Sequence, residues 1–129
     1  MIERVAYDTR QIHLAHEVMF VALAGERRDG HNYIKKAYDA GVRAFLIHRN
    51  IDTSIFGGSI FIIVEDTLAS LQILAAAHRQ RFDVPVIGIT GSNGKTIVKE
   101  WLYQILSSEK NIAKSPKSFN SQLGVPISV

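Results

Sequence analysis

The amino-acid sequence predicts an α/β protein from three observations. Short runs of β-branched and aromatic residues alternate with segments of helical period, proline and glycine punctuate that alternation, and a glycine-rich turn joins the last β-like run to an amphipathic helix. The expected arrangement is a small amino-terminal α/β domain over residues 1–84. Residues 85–129 then begin a second, parallel-sheet domain with a strand, a phosphate-type loop and a helix.

Residues 18–22 are an apolar run with β-branched and aromatic members that stops near Gly25, so they read as a strand entering a loop. Asp29 is placed to cap a helix over residues 31–40, in which Ile34, Ala37 and Tyr38 share a face. Gly41 then stands where a left-handed C-terminal residue is wanted. Residues 43–47 read as a second strand, and the Gly57-Gly58 pair marks a turn before a buried strand at residues 60–64. Asp66 or Thr67 can cap the next helix. Leu68, Leu71, Ala75, His78 and Phe82 recur there at helical spacing, which lays it against a sheet as far as about Arg81. Asp83-Val84-Pro85 ends that helix, and the domain boundary is expected there. Residues 86–89 read as a strand, residues 91–94 as a turn, and a helix starts near Lys95. Its stripe of Ile97, Val98, Trp101, Leu102, Ile105 and Leu106 calls for a packed side, so Trp101, like Phe82, is expected in the core.

Composition narrows the function. The chain is 47% apolar and 21% charged, as a globular protein is. Its longest apolar runs fall well short of the roughly 20 residues that cross a bilayer. Met1-Ile2-Glu3-Arg4 lacks the basic-then-apolar pattern of a secretory leader. Without cysteine there is no disulfide framework, no thiolate metal site and no thiol chemistry, and a cytoplasmic location is expected. The net charge of +3 is spread thinly apart from Lys110, Lys114 and Lys117, which is not the dense basic face that nucleic acid needs. His13, His16, His48 and His78 show no metal-like pairing and read as structural, while His31 stays a candidate ligand contact.

The most specific chemistry lies in residues 88–96, GITGSNGKT. Gly91 and Gly94 let successive backbone N–H groups turn inward around Ser92 and Asn93. With the positive end of the following helix, those groups make an anion cradle. Lys95 can bring an ammonium to the outer phosphates of a nucleotide, and the Thr96 hydroxyl can ligate Mg²⁺. The strict pattern G-x-x-x-x-G-K-[ST] wants glycine at position 89, where Ile89 stands. A generic kinase or GTPase loop is therefore disfavoured, and a glycine turn that merely caps a helix is the bland alternative.

Residues 88–100, GITGSNGKTIVKE, resemble the ATP loop of the Mur ligases of bacterial cell-wall synthesis, and the Val98-Lys99-Glu100 continuation is most similar to the branch that adds D-alanyl-D-alanine. Upstream, Asp8-Thr9-Arg10 and FVALAGERRDGH over residues 20–31 are similar to the uridine-nucleotide domain of that branch. Downstream, NSQLGVP over residues 120–126 resembles its asparagine-containing segment. The wording of residues 115–118 and Ser121 departs from the usual asparagine-rich form and is similar to a variant fused to an alanine racemase.

The resemblance implies an ATP- and Mg²⁺-dependent amide ligase of peptidoglycan synthesis. ATP phosphorylates the carboxylate of UDP-N-acetylmuramoyl-tripeptide, and the amine of D-alanyl-D-alanine then displaces phosphate from the acyl phosphate. It implies catalytic roles for Lys95 and Thr96, with Thr96 toward Mg²⁺, and ATP binding by Gly91, Ser92, Asn93, Gly94, Lys95 and Thr96. It implies substrate contacts by Thr9, Arg10, Gly25, Asp29, His31 and Asn120. Residues 1–84 become the UDP-substrate domain and residues 85–129 the start of the central ATP-binding domain. An acidic Mg²⁺ ligand, a modified lysine and a closing carboxy-terminal domain, all implied by the family, are not matched here, so the expectation is an amino-terminal fragment that does not complete the reaction alone. Another amino-acid-adding or folate polyglutamate ligase of the superfamily, or a non-catalytic nucleotide-binding module, stays open at this point.

Overall fold

Short β-branched and aromatic runs pair side by side when helices and loops carry the chain back to the same end of a sheet, and this happens three times. In the computed structural model, which describes residues 1–25, 28–116, 119 and 121–128, four strands form one parallel sheet. They are β1 (Arg4–Ala6), β2 (Val18–Val21), β3 (Ala44–Ile47) and β4 (Ile60–Ile63), in spatial order β1-β2-β3-β4. The register sets Val5 against Met19, Phe20 against Phe45, and Phe45 against Phe61. The expected α/β class with a parallel sheet is met, and three of the four strands read from the sequence are β2, β3 and β4; β4, expected to be buried, is largely exposed instead, at Ile60, Ile62 and Ile63.

Alternation along the strands divides the apolar residues between two faces. Val18, Phe20, Phe45 and Ile47 join Ile34 and Ala37 of α1 (Ile34–Asp39), with Val42 and Phe56, in one buried cluster. The Phe45 and Phe61 rings stack there with centroids 4.8 Å apart. Met19, Val21 and Leu46 form a second cluster on the opposite face.

The helix expected over residues 31–40 begins as a 3₁₀ turn, Gly30–Tyr33, before continuing as α1. The Asp29 carboxylate caps it, accepting from the His31 N–H at 2.9 Å. Gly30 must be glycine because a Cβ there would lie 2.7 Å from the Leu23 nitrogen and 2.8 Å from the Ala22 Cα. Gly41 closes α1 at φ +103°.

Two compact units divide the chain, Met1–Leu71 and Gln72–Val129, and the division falls inside α2 (Thr67–Arg79). In the first unit, Asp66 accepts from the Leu68 and Ala69 N–H groups at 2.7 and 3.0 Å, while the Thr67 hydroxyl donates to the buried Ala22 carbonyl at 3.2 Å. Leu71 is buried as expected.

The second unit contains the rest of α2, α3 (Lys95–Leu106) and α4 (Gly124–Ile127). Lys99 donates to the Ser115 carbonyl at 2.8 Å, and Lys114 pairs with Glu100, which ties α3 to the segment after it. Three expectations are corrected here. No strand forms over residues 86–89, where Val86 and Ile87 are exposed, because a strand exists only through a ladder partner and this unit has no other strand among its described residues. Trp101 and Phe82 are not core residues, with exposures of 62% and 49%. The apolar stripe of α3 is present, but its members Ile97, Trp101 and Ile105 lie open.

Candidate functional site

In a parallel sheet every strand ends at the same edge, so the segments that leave β1, β2 and β3 emerge together there. After β1 comes the Asp8-Thr9-Arg10 turn. The Asp8 carboxylate accepts from the Arg10 backbone N–H at 2.9 Å and from its Nε at 3.0 Å to each oxygen. Hydrogen bonding from the Arg10 side chain, then from its backbone N–H, pulls the Asp8 carboxyl down to about 2, and the charge of Arg28 acts in the same direction. Thr9 sits half-buried in the 3₁₀ turn Thr9–Gln11. The guanidinium of Arg10 remains exposed.

After β2 the Gly25 N–H donates to the Arg28 carbonyl at 2.9 Å, and Ala24 is bridged to Asp29. Asp29 and His31, each expected as a substrate contact from the family resemblance, meet directly. Asp29 Oδ1 lies 2.7 Å from His31 Nδ1, and the His31 side chain is only 2% exposed. His31 Nε2 faces the His48 backbone N–H at 3.4 Å, and the His48 ring stands edge-on at 4.3 Å. These contacts assign the ring proton to Nδ1. Burial pushes the His31 imidazole below its usual range against the pull of Asp29, while the His31 backbone N–H leads in holding the Asp29 carboxyl low. The second oxygen of Asp29 meets Arg49 Nη2 at 2.8 Å.

In the sequence Arg28 enters only within a charged run that the family resemblance raises as a substrate contact, His48 reads as structural, and Arg49 is not singled out. The signal that could have found them is position, since each lies just beyond the carboxyl end of a strand or in the loop it feeds. Asn120 lies outside the described residues.

The glycine-rich loop belongs to the second unit. Gly91 takes φ +144° and Gly94 takes φ +79°, ψ −7°, the left-handed conformation directly before α3. Residues 92–97 line an open concavity of about 260 Å³. The Val98 N–H closes the first helical turn on the Gly94 carbonyl at 2.9 Å. The N–H groups of Lys95, Thr96 and Ile97 are thus those a helix leaves without an internal partner, and all three residues line the concavity. Lys95 donates from Nζ to the Gly91 carbonyl and, at 3.4 Å, to the Ser92 carbonyl, which lays its ammonium across the mouth of the loop. Thr96 is exposed on the first turn of α3 and offers one hard oxygen. Among the described residues no group of three His, Asp or Glu side chains could hold a metal, so a Mg²⁺ ion here would rely on Thr96 with phosphate and water oxygens. No helix of the described residues is long and apolar enough to cross a membrane.

A parallel sheet with charged loops gathered at one edge, and a helix that opens on Gly-Lys-Thr, define the class of the chain as an α/β protein. The family described as "Mur ligase family, catalytic domain" matches residues 2–108, and the chain belongs to that family. It is 40% identical over 129 residues to UDP-N-acetylmuramoyl-tripeptide--D-alanyl-D-alanine ligase of Bacillus subtilis (strain 168), a match that covers 100% of this chain and 28% of that protein. Among solved structures it resembles MurF from Acinetobacter baumannii, with a TM-score of 0.87 and 34% identity over 98% of this chain and 27% of that one. It also resembles the MurF ligase from Thermotoga maritima in complex with ADP, with a TM-score of 0.82 and 32% identity over 97% of this chain and 28% of that one. The chain thus spans little more than a quarter of the length of the relatives it matches.

Proposed function

We propose that the chain is the amino-terminal part of an ATP-dependent ligase that adds D-alanyl-D-alanine to UDP-N-acetylmuramoyl-tripeptide through an acyl phosphate. The observation that carries this reading is the left-handed Gly94 followed by Lys95 and Thr96 at the mouth of α3, in a chain 40% identical to such a ligase. Residues 1–84 hold the uridine nucleotide at the carboxyl edge of the sheet, where Thr9, Arg10, Gly25, Asp29 and His31 gather. Residues 85–129 open the ATP-binding domain, with Gly91, Ser92, Asn93, Gly94, Lys95 and Thr96 around the phosphates and Asn120 toward the substrate. The functional boundary near residue 85 is drawn from the chemistry, while packing divides the chain at Leu71.

The work asked of these residues is electrostatic. Transfer of a phosphoryl group to a carboxylate spreads negative charge over its oxygens, which backbone N–H groups and the Lys95 ammonium can offset without a protein nucleophile. Mg²⁺, when held by Thr96, would neutralise phosphate charge there.

Two-dimensional ¹H–¹⁵N NMR of the chain, titrated separately with MgADP and with UDP, tests both halves. MgADP should shift amides of residues 91–97 and UDP those of residues 8–10 and 24–31, and Lys95→Ala should erase only the first response. A folded sample with neither response would end the proposal.

A further inference from the structure

Arg49 stands two residues past the end of β3, at the edge to which the turns after β1 and β2 bring Arg10 and Arg28. Its placement is specified from behind. One oxygen of Asp29 accepts from the His31 backbone N–H at 2.9 Å and faces His31 Nδ1 at 2.7 Å, and the other meets Arg49 Nη2 at 2.8 Å. With these three donors the carboxylate has little acceptor capacity left for hydroxyl groups of a ligand. Along this chain exposure rises from the His31 ring at 2%, through Asp29 at 28%, to Arg49 at 50%. A buried ring thus fixes a carboxylate, and the carboxylate fixes one end of a guanidinium whose remaining N–H donors are available to solvent or ligand.

An ordinary surface ion pair adds little to stability, so stability is a weak reason to anchor an arginine in this way. Preorganisation is a stronger one. Holding the planar fork in place removes the side-chain ordering cost that a flexible arginine would incur on meeting an anion. Planar donors of this kind match pairs of phosphate oxygens. Arg10, at the same edge, is already gripped by Asp8 through its Nε. We propose that Arg49 is a specificity-determining residue of the uridine-nucleotide site, positioned by Asp29 and His31 so that its guanidinium meets the ligand's diphosphate. This rests on the proposed assignment of the uridine nucleotide to the carboxyl edge.

The chain and its Arg49→Ala, Arg49→Lys and Asp29→Asn variants are titrated with UDP and with uridine by ¹H–¹⁵N NMR, whose dispersion also reports that each variant is folded. Loss of a charged, bidentate contact predicts that Arg49→Ala weakens UDP binding about tenfold or more and leaves uridine binding unchanged. Arg49→Lys should fall between, because it restores charge without the fork. Asp29→Asn should also weaken UDP more than uridine, and should add little once Arg49 is alanine. Equal losses for UDP and uridine, or UDP binding in Arg49→Ala as tight as in the parent chain, would overturn the role of Arg49 while leaving the site assignment standing. A parent chain whose edge residues respond to neither compound would remove the site assignment and this role together.

Discussion

The Nδ1 atom of His31 lies 2.7 Å from Oδ1 of Asp29, on a ring that is almost wholly enclosed. Neutral imidazole suits that place, because its single N–H points at the carboxylate and its other nitrogen faces the His48 N–H. Protonation would put a buried cation within reach of His48 and Arg49.

The first prediction follows from the lowered pKa of that ring. Above the unfolded value of 6.5 both folded and unfolded chains hold neutral His31, and its stabilising contribution is fully present. As pH falls below 6.5 the unfolded chain takes up a proton that the folded chain resists, so stability drops until the folded value is passed. Asp29, also lowered, keeps its contribution until pH falls below 3.8. Thermal melts between about pH 5 and 8 therefore isolate the histidine. The melting temperature should fall on the acid side, and His31→Gln should flatten that slope. An unchanged slope in the variant would show that other groups carry it.

Gly94→Ala tests the loop. A Cβ at Gly94 meets nothing within 4 Å, so the whole penalty comes from φ +79°. A left-handed alanine costs about 1–2 kcal/mol, which should lower affinity for MgADP by about fivefold to thirtyfold. Gly57→Ala, where the Cβ is equally unobstructed and φ is not positive, should leave that affinity alone. Similar binding by Gly94→Ala and the parent chain would mean that the loop relaxes without loss.

Core and surface aromatics should behave oppositely under urea. Phe45 is fully buried, and Phe45→Ala should destabilise the first unit by about 3–5 kcal/mol. Trp101, at 62% exposure, should tolerate alanine within about 0.5 kcal/mol. A large loss at Trp101 in the isolated chain would contradict its exposed position.

That contrast shows what the sequence could and could not reveal. The runs that became β2 and β3 were legible because buried parallel strands are nearly continuous in apolar residues, and Phe20 and Phe45 announced themselves in that way, whereas the equally apolar run of β4 forms a strand that is largely exposed. β1 was missed because three residues are too few to display a period. Helical spacing correctly gathered Ile97, Trp101 and Ile105 on one side of α3, but periodicity identifies an apolar side without saying what lies against it. At the carboxyl edge of the sheet, Asp29 and His31 were legible through capping chemistry and family wording. Arg49 was not, since a charge after a strand reads as a solvated loop until the strand order brings the loops together.

The order of the sheet also governs how such a protein can diverge. Because β1 to β4 run parallel and in sequence, the segments that follow the strands hang from one rim while the packing of Phe20, Phe45 and Ile47 lies beneath them. Insertions and replacements along that rim are largely uncoupled from the interior, so a lineage can rewrite short stretches of chain there and inherit the scaffold unchanged.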